Sequence, residues 1–146
     1  MRPRVSSKLY TPELLGLATG LASFPLTDDL PLRAEERSRT CGSAIALGLA
    51  LDDKGLVSGV GMKVSACAIG QASAALLAQS IRGVDPAHVC WMGGALERWL
   101  ADENDLPRWR GIEALVPARD HPGRHAALLL PWRAARKALS SSVTAG

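Results

Sequence analysis

Ala44-Ile45-Ala46-Leu47-Gly48-Leu49-Ala50-Leu51 alternates large and small apolar residues with the two-residue period of a β-strand. Ile45, Leu47, Leu49 and Leu51 share one face, and Ala44, Ala46, Gly48 and Ala50 the other, which predicts a sheet covered on its large face. Asp52-Asp53-Lys54-Gly55 follows as a hairpin turn, with glycine where a positive φ is needed. Beyond it Leu56, Ser58, Val60, Met62 and Val64 fall on one face and form the return strand. On the other side, Arg33 to Ser38 is short and charged. That suits an exposed edge strand, where charge discourages pairing with other chains. The three segments make an antiparallel meander.

Helical signals flank this meander. Thr11-Pro12-Glu13 starts a helix with an N-cap, a proline in the first turn and a favourably placed acid. Leu14, Leu17, Ala18 and Leu21 form its stripe, and it should end near Ser23, before Pro25. Residues 25–32 read as a loop. After Cys67 the period becomes helical, with Ile69, Ala72, Leu76 and Ile81 on one stripe and Gly83 at the C-cap position. Asp85-Pro86 starts the next helix, whose stripe is Val89, Met92, Leu96, Trp99 and Leu100. Gly111 to Leu115 reads as one short helical turn, and Ala126 to Leu139 as the last helix. Pro131 lies inside that helix and predicts a kink or a displaced start. Strands grouped together and followed by helices specify an α+β fold, a three-stranded antiparallel sheet with helices packed on it. Residues 1–139 form a single domain, and 140–146 a small, polar tail expected to be flexible.

The 146 residues suffice for one domain with its own core, and 47% hydrophobic against 21% charged residues excludes a disordered chain. A net charge of +3 does not by itself imply a nucleic-acid partner. Three cysteines, Cys41, Cys67 and Cys90, are too few and odd in number for a secreted disulfide scaffold. No apolar run is long enough to span a membrane. Arg2, Arg4 and Lys8 before the apolar stretch Leu14 to Phe24 loosely imitate a signal peptide, but the helix start at Thr11 argues against one. A cytoplasmic protein is the expectation.

Cys41 and Cys67 carry the candidate chemistry. Cys41-Gly42-Ser43 occupies a corner between two strands, where Gly42 permits a sharp turn and close ligand approach. Cys67 closes the return strand and opens a helix, whose first amide N–H groups favour a thiolate. The hairpin should bring the two thiols back to one end of the sheet, as a soft-metal or sulfur-acceptor site. The plainer alternative is a pair of small core residues. Cys90, beside an apolar stripe, reads as packing, and His88 as a surface residue. No Ser–His–Asp arrangement or phosphate-binding glycine loop is present, so the chain is not expected to be an enzyme.

Cys41-Gly42-Ser43 before an alternating strand, the Asp-Asp-Lys-Gly turn, and Ala66-Cys67-Ala68-Ile69-Gly70-Gln71-Ala72-Ser73 resemble the U-type iron–sulfur cluster scaffold family. This is the IscU/SufU group, also found as the N-terminal domain of NifU. The resemblance extends from about Leu9 to Leu139 and is most specific from Thr40 to Gly83. It implies a three-stranded sheet with helices packed on it. It also implies that Cys41 and Cys67 bind iron, a transient iron–sulfur cluster or zinc, and that they accept sulfur from a cysteine desulfurase for delivery to apo acceptor proteins.

The sequence departs from the family at three points. The stretch where the family carries a third cysteine reads Pro122-Gly123-Arg124-His125-Ala126-Ala127-Leu128. Ser43, at best a weak ligand, stands where the family commonly has aspartate. A Leu-Pro-Pro-Val-Lys sequence is absent, which removes the basis for hand-off through an Hsp70-type chaperone. His125 lies in the third-ligand region and is the third metal candidate, with His121 behind it. Three arrangements remain open at this level. A monomer holds metal with His125 and water. Alternatively, two chains pool four thiolates in a homodimer, or the site is degenerate and the chain is a zinc-binding partner or regulator of a desulfurase. A weaker alternative is nucleic-acid binding by the basic region 107–137, with Trp109 and Trp132 stacking on bases.

Overall fold

The computed structural model describes residues 9–40 and 42–145, the side chains of 141–145 excepted. Helix α1 spans Pro12–Gly20 and runs into a 3-10 turn at Leu21–Ser23. Thr11 caps it, its Oγ1 accepting from the Leu14 amide at 3.1 Å. Strands β1 (Leu32–Arg37), β2 (Ala44–Leu51) and β3 (Val57–Ser65) form one antiparallel sheet in that order. Helices α2 (Ala68–Ser80), α3 (Pro86–Leu100) and α4 (His125–Ala145) follow, with 3-10 segments at Ile112–Asp120 and Pro122–Arg124 before the last. This is the α+β architecture expected from the strand and helix periods.

The hairpin forms as its residues dictate. Asp52 Oδ1 accepts from the amides of Lys54 and Leu56, and Gly55 adopts a φ of +83°. The return strand differs in one detail. A bulge near Ala50 and Leu51 sets Leu51 opposite Val57, so Val57 takes the core position and Ser58 is exposed. Leu56 and Ser58 therefore do not continue the face of Val60, Met62 and Val64, because the inserted residue reverses the alternation.

Ile45, Leu47 and Leu49 are buried on the large face, and α4 packs across β1 and β2 there. The small face is also covered, by the loop that crosses it. Gly48 lies under Leu26 and Leu30, and Gly61 lies under the Pro25 backbone, where an added Cβ would stand 2.2 Å from the Pro25 carbonyl oxygen. The Met62 amide donates to the Phe24 carbonyl at 2.9 Å, fastening the loop to β3. The alternation of large and small residues thus serves two layers of unequal thickness.

Helix α2 is buried along most of its length, between α1 and α4. Gly70 permits the contact with α4, since a Cβ there would meet Ala66 and the Ala127 carbonyl. Pro131 neither delays the start of α4 nor ends it. The Ala127 carbonyl, whose helical donor Pro131 lacks, lies against Gly70, and the next carbonyl, of Leu128, accepts from Ser73 Oγ at 2.7 Å. Helix α4 continues to Ala145, past Leu139 where its apolar stripe ends. The segment after Gly111 is longer than the single turn read from its pattern, nine residues of 3-10 helix at Ile112–Asp120.

Candidate functional site

Ser65 pairs with Ala44 at one end of the sheet, and a solvent-open cavity of about 280 Å³ lies there. Its lining is Gly42 and Ser43 ahead of β2, Ser65, Ala66 and Cys67 at the join of β3 to α2, and Gly123, Arg124 and Ala127 where α4 begins. The hairpin therefore returns the chain to its starting corner, as the topology demands. The 38–43 connection is closed by two backbone bonds: the Gly42 amide donates to the Ser38 carbonyl at 3.1 Å, and the Ser38 amide to the Ser43 carbonyl at 2.8 Å. Gly42 takes a φ of +73°, which favours glycine. Cys41, the first of the two cysteines singled out from sequence, lies outside the described residues.

Cys67 is the N-cap of α2, with extended backbone and no side-chain capping bond, and it is half-buried. Its thiol is thus not committed to the helix end it occupies. Gln71 Nε2 donates to the Ala66 carbonyl at 2.9 Å and holds the strand-to-helix corner from inside the first turn of α2. Ser43 is buried at 4% exposure, on the wall of the same cavity.

His125 is not among the lining residues. Its Nε2 faces the Arg119 carbonyl at 2.8 Å, so this nitrogen carries the proton and donates. Gly123, Arg124 and Ala127 face the cavity from that segment instead, because the turn at Pro122–Arg124 passes directly into α4 and sets which side chains point inward. His121 Nε2 is buried without a hydrogen-bond partner among the described residues. Among the described residues no group of three His, Cys, Asp or Glu side chains gathers as a metal site. In the sequence Arg124 was one of several basic residues and a member of the 122–128 stretch, and nothing there set it apart from its neighbours as a cavity residue.

The aromatic residues of the basic region serve the core. Trp109 and Trp132 are 8% and 1% exposed and meet edge to face at 5.0 Å. The Trp109 indole donates to the Leu76 carbonyl, and the Trp132 indole to Ser73 Oγ. Neither ring is free to stack on a base, which removes the basis of the nucleic-acid reading. Cys90 packs partly against the core, and burial pushes its thiol pKa up, with Arg136 acting in the opposite direction. His88 is exposed and stacks on Trp91 at 5.6 Å. Among the described residues no helix is long and apolar enough to cross a membrane.

The structure of a nitrogen-fixing NifU-like protein (N-terminal) from Brucella abortus superposes with a TM-score of 0.90 at 25% identity. The match covers 97% of this chain and 99% of that one. The chain has the NifU N-terminal fold. A second structure, described as an iron–sulfur cluster assembly scaffold protein of the SUF system from Fervidobacterium islandicum, shares this NifU-type fold. Its TM-score is 0.73 at 20% identity, over 87% of this chain and 93% of that one. No protein-family model matches the sequence, and no curated protein does either.

Proposed function

We propose that this chain belongs to the iron–sulfur cluster assembly scaffold proteins, and that Cys67, together with Cys41, is its contact for sulfur and metal. One observation carries the reading. Within a NifU-type fold, an uncommitted cysteine at a helix start lines an open pocket that Gly42 and Ser43 also line. In this reading Cys67 accepts sulfur as a persulfide from a cysteine desulfurase. Turnover belongs to the desulfurase, so the chain itself is no enzyme. Iron and the growing cluster are cargo, passed to apo acceptor proteins in the cytoplasm.

The donor set shapes what can be held. Two thiolates per chain fall short of the four that a [2Fe–2S] cluster normally takes. The described lining adds hydroxyls and a guanidinium but no imidazole, so it lends no support to His125 as third ligand. Pooling Cys41 and Cys67 from two chains supplies four thiolates, whereas sulfur relay requires only one.

Metal and acid-labile sulfide analysis of anaerobically reconstituted protein, with its oligomeric mass, tests this. Sulfide and iron are expected in the wild type, in a species of twice the chain mass, and both are expected to be lost in Cys41→Ala and Cys67→Ala. Metal that survives both substitutions overturns the reading.

A further inference from the structure

In the basic region around α4 several cations are paired, among them Arg119, which is half-buried, and the exposed Arg133 and Lys137. Arg119 bonds Asp102 and lies over the Trp99 ring, 5.6 Å from its centroid. Arg133 bonds Glu97 at 2.9 Å, and Lys137 approaches Glu36 at 3.9 Å. Arg124 differs. It is half-buried, its amide is bound to the His121 carbonyl at 2.9 Å, and its guanidinium has no hydrogen-bond or ion-pair partner among the described residues. It lines the Cys67 cavity, whose described lining contains no carboxylate. A half-buried guanidinium lining an open cavity with no counter-charge in its described lining is a receptor for an anion. It also disfavours a bare dication at the same place.

We propose that Arg124 is the anion-binding residue of the Cys67 pocket: it stabilises the terminal sulfur anion of a persulfide formed on Cys67 and disfavours a free metal cation there until that anion is in place. The inference rests on the reading of Cys67 as a sulfur acceptor. The donor is a protein cysteine persulfide. The Cys67 thiolate attacks its outer sulfur, and a new S–S bond forms at Cys67. The donor's own S–S bond breaks, and the donor leaves as a thiolate. The transferred sulfur keeps its oxidation state, so no oxidant or reductant is needed. Its proton passes to solvent as the new persulfide ionises, and the resulting terminal sulfur anion pairs with Arg124. Sulfur then precedes iron at this site, because the persulfide anion cancels the charge that repels the metal.

Charge-selective alkylation tests the electrostatic claim without relying on sulfur transfer. The full chain is treated with iodoacetate, which is anionic, and iodoacetamide, which is neutral, and the two rates at Cys67 are read by mass spectrometry. Arg124→Gln is expected to lower the iodoacetate-to-iodoacetamide ratio about fivefold at low salt, with the loss shrinking as salt screens the charge. Arg124→Lys is expected to retain most of the ratio, and circular dichroism checks that both variants fold. A ratio that is unchanged in Arg124→Gln, or equally low in Arg124→Lys, overturns the proposal. The second arm loads the chain with glutathione persulfide and counts persulfide at Cys67. Slower loading in Arg124→Gln than in wild type supports the proposal, and equal loading overturns it. No persulfide on wild-type Cys67 defeats the sulfur-acceptor reading itself, whatever the alkylation ratio.

Discussion

Ser73 is the buried hydroxyl on which two helices meet. It accepts from the Trp132 indole at 3.0 Å and donates to the Leu128 carbonyl at 2.7 Å, so its hydrogen-bonding capacity is used within the core. Ser73→Ala strands the indole N–H, and a buried unsatisfied donor costs about 1–3 kcal/mol. A lower urea midpoint with unchanged slope is the expected result. Cys90 supplies the pH-dependent counterpart. Burial raises its thiol pKa above the ordinary 9.0, so the unfolded chain loses this proton first as pH rises. The stability it contributes is therefore complete below the ordinary thiol value and is lost as pH climbs through the folded one. The wild type should lose stability relative to Cys90→Ala on the alkaline side of pH 9, as read by denaturation at a series of pH values. A difference that is flat with pH would show that the raised thiol pKa does not contribute.

Strand β3 shows why an element tolerates small residues on one face only. Gly61 lies under the backbone of Pro25, which cannot rotate away as a side chain would. Gly61→Ala must push the 24–25 segment off β3 and break the Met62–Phe24 bond. Such overpacking costs about 1–3 kcal/mol. Hydrogen exchange at the Met62 amide should speed up in the same variant. Gly16 in α1 is the control, because nothing lies within 4 Å of an added Cβ. Gly16→Ala is expected to stabilise the chain by about 0.5–1 kcal/mol, the ordinary gain from replacing glycine in a helix. Thermal midpoints of the two variants should move in opposite directions.

At the scale of the molecule, the pocket exists because three separate parts of the chain end at the same edge of the sheet. The residues ahead of β2, the β3–α2 join and the start of α4 meet there. Two of these were legible in the sequence. The alternation of 44–51, the turn at 52–55 and the change of period at Cys67 require the hairpin to come back to residues 42–43. The third was legible only as a region. The family resemblance pointed to 122–128, and the one imidazole in that stretch made His125 the candidate. The structure turns His125 towards the Arg119 carbonyl and puts Gly123, Arg124 and Ala127 on the wall.

The local pattern of residues settled on its own where helices and strands begin, because caps, prolines and apolar periods act over a few residues. It also determined that Ile45, Leu47 and Leu49 face the core. Tertiary structure alone decided what covers the glycine face, which partners Trp109 and Trp132 find, and which member of 123–127 looks into the cavity. Those outcomes depend on how the loop before β1 crosses the sheet and on the rotation of α4 against α2. Both are products of long-range packing, which no periodicity along the chain encodes.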